Sequence, residues 1–194
     1  ITQSGALAVT GTTTISNALN NVTLGTATNN FTGAVLVTGH DVILVDAGAI
    51  VLGASTVTGT YAVTATLGGD ITNTGALAIT EAATFTAATT QSISVANAGN
   101  SFGSTVAFVG TGGSLANVSV LDTTALALPA LTITGNLTAT GAGLTQSGAL
   151  VVPGIATFTS TGAADIVLST GTNNFGTAVV TSGRDATLVD TDAV

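Results

Sequence analysis

Three stretches decide the fold: ITQSGALAV (residues 1–9), ITNTGALAI (71–79) and LTQSGALVV (144–152). They state one phrase three times, beginning at Ile1, Ile71 and Leu144. A self-similar period of this kind sets architecture before any local propensity does. Within each phrase Leu7 and Val9, Leu77 and Ile79, and Leu150 and Val152 alternate with small residues. Period two is the mark of a strand with one face buried, so Leu7, Leu77 and Leu150 are expected to form one core column.

Further columns emerge outward from the phrase. A turn is expected next, at Thr10-Gly11, Thr80-Glu81 and Pro153-Gly154, since proline belongs where a ladder N–H is not needed. Ile15, Phe85 and Phe158 then share a column on Thr-rich strands. A third signature reads Asn29-Asn30-Phe31, Asn100-Ser101-Phe102 and Asn173-Asn174-Phe175. It gives a phenylalanine column (Phe31, Phe102, Phe175) and an asparagine column taken as Asn30, Asn100 and Asn174. An apolar strand then ends in acid at Asp46, Asp122 and Asp190. Phe31 to Asp46 and Phe175 to Asp190 are equal spacings, whereas Phe102 to Asp122 is longer. The second unit therefore carries a short insertion near 110–115. The insert reads GTGGSL, the composition of a surface loop.

No helical stripe survives free of glycine or dense β-branching anywhere along the chain, so it reads as all-β. Asn-Gly and Asp-Gly hairpin turns are missing from the sequence, which disfavours an antiparallel sandwich. Repeated columns favour stacking. The expected architecture is a right-handed parallel β-helix (β-solenoid) of about 8–11 coils built from roughly 70-residue repeats. Three coils of about 23 residues, or four of about 18, fit one repeat. In that layout Ile15, Phe85 and Phe158 would pile up along the axis. One continuous solenoid is expected over 1–194, with units 1–70, 71–143 and 144–194, the last incomplete. The chain opens and stops inside a phrase, which predicts an excerpt of a longer protein.

Composition removes several functions. There are nine acidic residues and one strong base, Arg184, giving a net charge of −8. Nucleic-acid binding needs Lys and Arg to displace counterions, and polybasic attachment to anionic lipid fails for the same reason. Disorder combines low hydrophobicity with high charge, whereas 45% of this chain is hydrophobic. Without cysteine there is no disulfide, thiolate site or thiol nucleophile. The strongest apolar stretch, residues 42–52, is interrupted by Asp46 and two glycines and is too short to span a bilayer. A transmembrane β-barrel would want aromatic girdles that the sequence lacks.

Tandem TQSGAL-, NNF- and LVD-type phrases in Thr, Gly and Ala filler resemble the repeat regions of filamentous-haemagglutinin-like bacterial proteins over essentially the whole chain. The resemblance implies a right-handed parallel β-helix, export to the cell surface or medium, and adhesive or matrix-forming roles.

Chemistry is hard to assemble from these residues. His40 and Arg184 occupy one repeat position, in Gly-His-Asp and Gly-Arg-Asp, and a solvated turn tolerates that exchange where a catalytic site would not. Asp46, Asp122 and Asp190 stand once per unit, whereas paired-carboxylate hydrolysis needs two within reach. Local hydrogen bonding to backbone N–H is the better account of them. The asparagines are expected to cap corners or form a ladder rather than bind sugar. Sequons at Asn21, Asn30, Asn117 and Asn136 do not exceed what composition supplies. Threonine alternation is too patchy between units for an ordered ice-binding array, because Thr12 and Thr14 correspond to Ala82 and Thr84, then Ile155 and Thr157.

The expected function is a structural extracellular fibre or stalk segment contributing to filament, sheath or biofilm matrix and adhesion. It is expected to be non-enzymatic, with no cofactor and no metal. Expected partners are copies of itself, end to end or side by side, or the continuing chain, with surface glycans a further option; nucleic acid and membrane insertion are not expected. A carbohydrate-binding adhesin module is the alternative, and a polysaccharide-active β-helix enzyme the third reading.

Overall fold

The computed structural model describes residues 1–192. All its regular structure is strand, and every strand pairing is parallel. The strands are short and alternate buried with outward residues, as in Tyr61–Ala65 and Ala83–Ala88. Inward positions carry Val, Ile, Leu, Phe and Ala, and they merge into one apolar core. The chain is a β-solenoid of about eight turns. At about 4.8 Å per strand spacing the rod rises roughly 40 Å.

Each coil is made of three segments, and away from the ends and the level of the insertion most segments pair with the third one before and the third one after. The first face stacks Val22–Leu24, Val42–Asp46, Tyr61–Ala65, Ala83–Ala88 and Val106–Thr111. The second stacks Ile50–Leu52, Ile71–Asn73, Ile93–Val95, Val118–Leu121 and Leu137–Gly141. The third begins with Thr13–Ser16, Val35–Gly39, Ser55–Val57, Leu77–Ile79 and Ser101–Phe102. Higher up it continues with Leu126–Leu128, Leu144–Gln146, Ile166–Leu168 and Ala186–Leu188. Coil length is not constant. It is short where Val35 pairs with Leu52 and long where Ile93 pairs with Val118, around the insertion.

Repeat and coil are out of step. The second unit contributes ten strands, from Ile71–Asn73 to Leu137–Gly141, before the third begins at Leu144–Gln146. Ten segments at three per coil advance the chain three full coils and one face. Neither three coils nor four per unit is correct. The equivalent strands Val22–Leu24, Ile93–Val95 and Ile166–Leu168 accordingly lie in three different sheets.

This phase overturns the expected pile-up of Ile15, Phe85 and Phe158. Ile15 pairs with Val37 on the third face, Phe85 lies between Val63 and Phe108 on the first, and Phe158 lies between Ala139 and Val180 on the second. The column winds around the core. Its members still point inward: Phe85 and Phe158 are fully buried, and Ile15 packs half-buried against the core. Leu77 and Leu150 are likewise buried, with Leu7 packed at the core's edge. Phe85 meets Tyr61 and Phe102 edge-on, at ring-centroid distances of 6.1 and 6.3 Å, and stacks on Phe108 at 6.1 Å.

Corners differ from the expected turns. Pro153-Gly154 lies inside the long strand Leu150–Ser160, which crosses from one face to the next with a register shift between Val152 and Ile155. A solenoid corner needs only a bend, and proline's missing N–H costs nothing there. Gly103 and Gly176, each directly after the Phe of its signature, cross the corner of the coil below so closely that a Cβ would strike the carbonyls of Thr80 and Pro153. Only glycine permits that approach.

Candidate functional site

The most organised polar constellation occurs once per unit and is interior. In the first unit Asn29 is fully buried beside a bend in the chain. Its Oδ1 accepts the Leu7 N–H at 2.9 Å and the Gln3 Nε2–H at 2.7 Å. Its Nδ2 donates to Gln3 Oε1, the Leu24 carbonyl and the Val45 carbonyl, at 3.0, 3.2 and 3.1 Å. Asn173 repeats the set with Leu150 N–H, Gln146, the Leu168 carbonyl and the Val189 carbonyl. Asn100 repeats it with Leu77 N–H, Asn73 and the Val95 carbonyl. Each asparagine satisfies backbone groups orphaned where the loop leaves the ladder. A buried polar group left unpaired would cost about 1–3 kcal/mol.

This geometry moves the asparagine column by one position. Asn100 is equivalent to Asn29 and Asn173, not to Asn30 and Asn174. The latter two are exposed and pair through the backbone with Ala8 and Val151. The bend turns the first asparagine of the pair inward and leaves the second on the outer side. Sister asparagines are separated by a whole unit and a face change, so they form caps rather than a ladder.

One coil on, a carboxylate completes the hub. Asp46 is fully buried; its Oδ2 accepts the Phe31 N–H at 2.6 Å and its Oδ1 the Gly48 N–H at 2.7 Å. Asp122 holds Phe102 N–H at 3.2 Å and both the N–H and hydroxyl of Thr124 through Oδ1, while its buried Oδ2 has no partner. Asp190 accepts the Phe175 and Thr191 N–H groups. The phenylalanine column lies beside these carboxylates, with Phe31, Phe102 and Phe175 all buried.

Sequence reasoning missed the partner at the third position of each opening phrase, Gln3, Asn73 and Gln146. The signal was present: that position is always a carboxamide. It also missed a second set of caps, on the residue that precedes an inward strand. Asn21 Oδ1 accepts Asp41 N–H, Asp41 accepts Thr60, Asp70 accepts Ser92, Asn117 accepts Asn136, and Asn136 accepts Ile155. Each reaches one coil ahead. The Asx-then-aliphatic pairs in the sequence mark them.

The two unique bases are on the surface. His40 lies 3.6 Å from Asp41, and the N–H and hydroxyl of Thr60 hold the Asp41 carboxyl below its ordinary range. Arg184 donates to Asp165 from Nε at 2.8 Å and from its terminal nitrogen at 2.6 Å, lowering Asp165 and raising itself. Tyr61 is interior, and burial pushes its hydroxyl upward. Among the described residues no three His, Cys, Asp or Glu side chains gather as a metal ion would require.

A family model described as repeats of unknown function (DUF5649) matches residues 1–38, 39–109 and 115–182. The break between the second and third matches falls on the insertion. No curated protein and no solved structure matches the chain.

Proposed function

The chain belongs to this repeat family, and on that premise we propose that it is a mechanical rod segment of a filamentous-haemagglutinin-like bacterial surface or secreted protein. Its coarse character, a structural repeat protein folded as a β-solenoid, is the starting point. One observation carries the step to a mechanical role: the buried polar side chains bond to the chain's own backbone. Asn29, Asn100, Asn173, Asp46 and Asp122 close bends between coils, and no pair of them faces a cleft. A rod held this way resists pulling through ladders and caps. The segment is non-enzymatic in this reading and acts at the cell surface or in the surrounding matrix. Low charge and small outward side chains suit sideways packing against copies of itself.

The carbohydrate-binding alternative needed an aromatic-lined groove near the insertion. Tyr61, the one polar aromatic, is buried in the core and unable to face a sugar.

Antibody raised against this segment, applied to intact, unpermeabilised cells and to their extracellular material, tests the location. Labelled surface fibres are the expected result, and labelling only after lysis would overturn the proposal. A glycan array with saturable, competable hits would replace it with the adhesin reading.

A further inference from the structure

The rod is not equally joined along its length. On the first face the ladder stops at Val106–Thr111, whose lower edge pairs along its whole length with Ala83–Ala88 and whose upper edge carries no strand partner among the described residues, and it resumes at Leu131–Thr132, paired with Leu150–Val151. On the third face it ends at Ser101–Phe102 and resumes only at Leu126–Leu128, in a separate sheet. Between them lies an open groove of about 490 Å³, with Gly103, Ser104 and Thr105 on one lip and Thr124, Ala125 and Ala127 on the other. Only the second face crosses this level unbroken, from Ile93–Val95 through Val118–Leu121 to Leu137–Gly141.

What spans the gap elsewhere is sparse. At the corner next to the second face the isolated bridge Leu115–Ile133 crosses, with the Thr134 N–H on the Leu115 carbonyl at 2.9 Å and the Gly135 N–H on the Ala116 carbonyl at 2.8 Å. At the groove's inner end, Thr123 donates to the Asn100 carbonyl from its N–H at 2.9 Å and from its hydroxyl at 2.8 Å. The Thr124 hydroxyl reaches the Phe102 carbonyl at 3.2 Å. One backbone bond and two threonine hydroxyls stand there in place of a strand ladder.

We propose that this seam is a hinge dividing the rod into two cooperative units, residues 1–111 and 116–192, that bend apart about the second face. With no strand ladder crossing on the first and third faces, the second face and the 114–116 corner beside it form a flexible strap, because a continuous parallel ladder bends more easily than it breaks. Opening separates the lips of the groove while each half keeps its own core. The rod thereby gains compliance at one fixed level rather than throughout.

Hydrogen exchange on the intact chain tests this directly. Amides of Ser104, Thr105, Val106, Ala125 and Ala127, at the lips of the groove, are expected to exchange at least about tenfold faster than those of Ile93–Val95 and Val118–Leu121, which lie at the same level on the unbroken face. Stretching single molecules from their ends is expected to release two separate lengths, the longer matching residues 1–111 and the shorter matching residues 116–192. Deleting residues 111–115, which restores the first unit's spacing, is expected to abolish the fast exchange and merge the two steps. Uniform protection around the coil, or one all-or-none release in the wild-type chain, would overturn the hinge whether or not the deletion variant folds. A folded deletion variant that still exchanges fast would overturn the insertion as its cause.

Discussion

The first and second units run the same stretch twice, with different results. In the first, Val35–Gly39 turns upward into the next coil with Val35 against Leu52, Thr38 against Thr56 and Gly39 against Val57. In the second, the equivalent residues Val106, Val109 and Gly110 have no such partners, and Ile133 pairs instead with Leu115. Leu115, the last inserted residue, is buried, while residues 111–113 loop into solvent and Val109 is 42% exposed. In a globular domain a few extra residues at a loop would stay local. In a solenoid the next coil must be laid on the one that contains them, so the insertion is felt a full turn later.

Four measurements can break or sharpen that comparison. The largest effect is expected from Phe85→Ala, below the seam, at about 3–5 kcal/mol from transfer and cavity terms. If the seam separates the units, calorimetry will shift the lower unit's transition and leave the upper one in place; a common shift would argue for one cooperative body. Next, Asn29→Ala and Asn100→Ala should each cost about 2–3 kcal/mol in denaturant titration, because each strands buried backbone groups. Losses below about 0.5 kcal/mol would mean the caps are not needed.

A smaller contrast is expected between Asp46→Asn and Asp122→Asn. Asp46 engages both oxygens with N–H groups, so an amide there must turn a donor toward a donor, costing about 1–3 kcal/mol. Asp122 leaves Oδ2 without a partner, so the amide nitrogen can take that place at about 1 kcal/mol or less. Equal losses would refute the asymmetry between the hubs. Smallest is acid. Asp41 and Asp165 have folded pKa values below the ordinary range, so their contribution is present above about pH 4 and fades as pH falls through the lowered values. The second unit carries Asn117 and Ser92 at the equivalent corners. Exchange measured down the pH scale should therefore loosen the Asp41 and Asp165 corners and spare the Asn117 and Ser92 ones.

Much of the architecture was readable from residues alone. Alternation in Leu77-Ala78-Ile79 or Val42-Ile43-Leu44 names the inward face, because strand side chains have no other period. The unit length was readable too, from its phrases. The coil length was not, since ten segments per unit leave no repeat within the unit and side-chain identity is shared across faces. The same limit applies at Asn29-Asn30. Both residues are identical, and only the bend, fixed by the Leu7 N–H and Leu24 carbonyl around it, selects which one turns inward. The Gln3, Asn73 and Gln146 column is hard to interpret from sequence because its partner asparagine lies more than a coil away in the chain.

The offset between unit and coil gives the rod a screw symmetry. Each unit rises about 16 Å and turns one face, so three units, or ten coils, restore the starting aspect after about 48 Å. Aligned fibres of a chain continuing this pattern would diffract on layer lines indexing to about 48 Å, with the first meridional reflection near about 16 Å. The hubs then lie on a thread around the shaft, so their sites of weakness and strength are spread evenly about the axis instead of along one side.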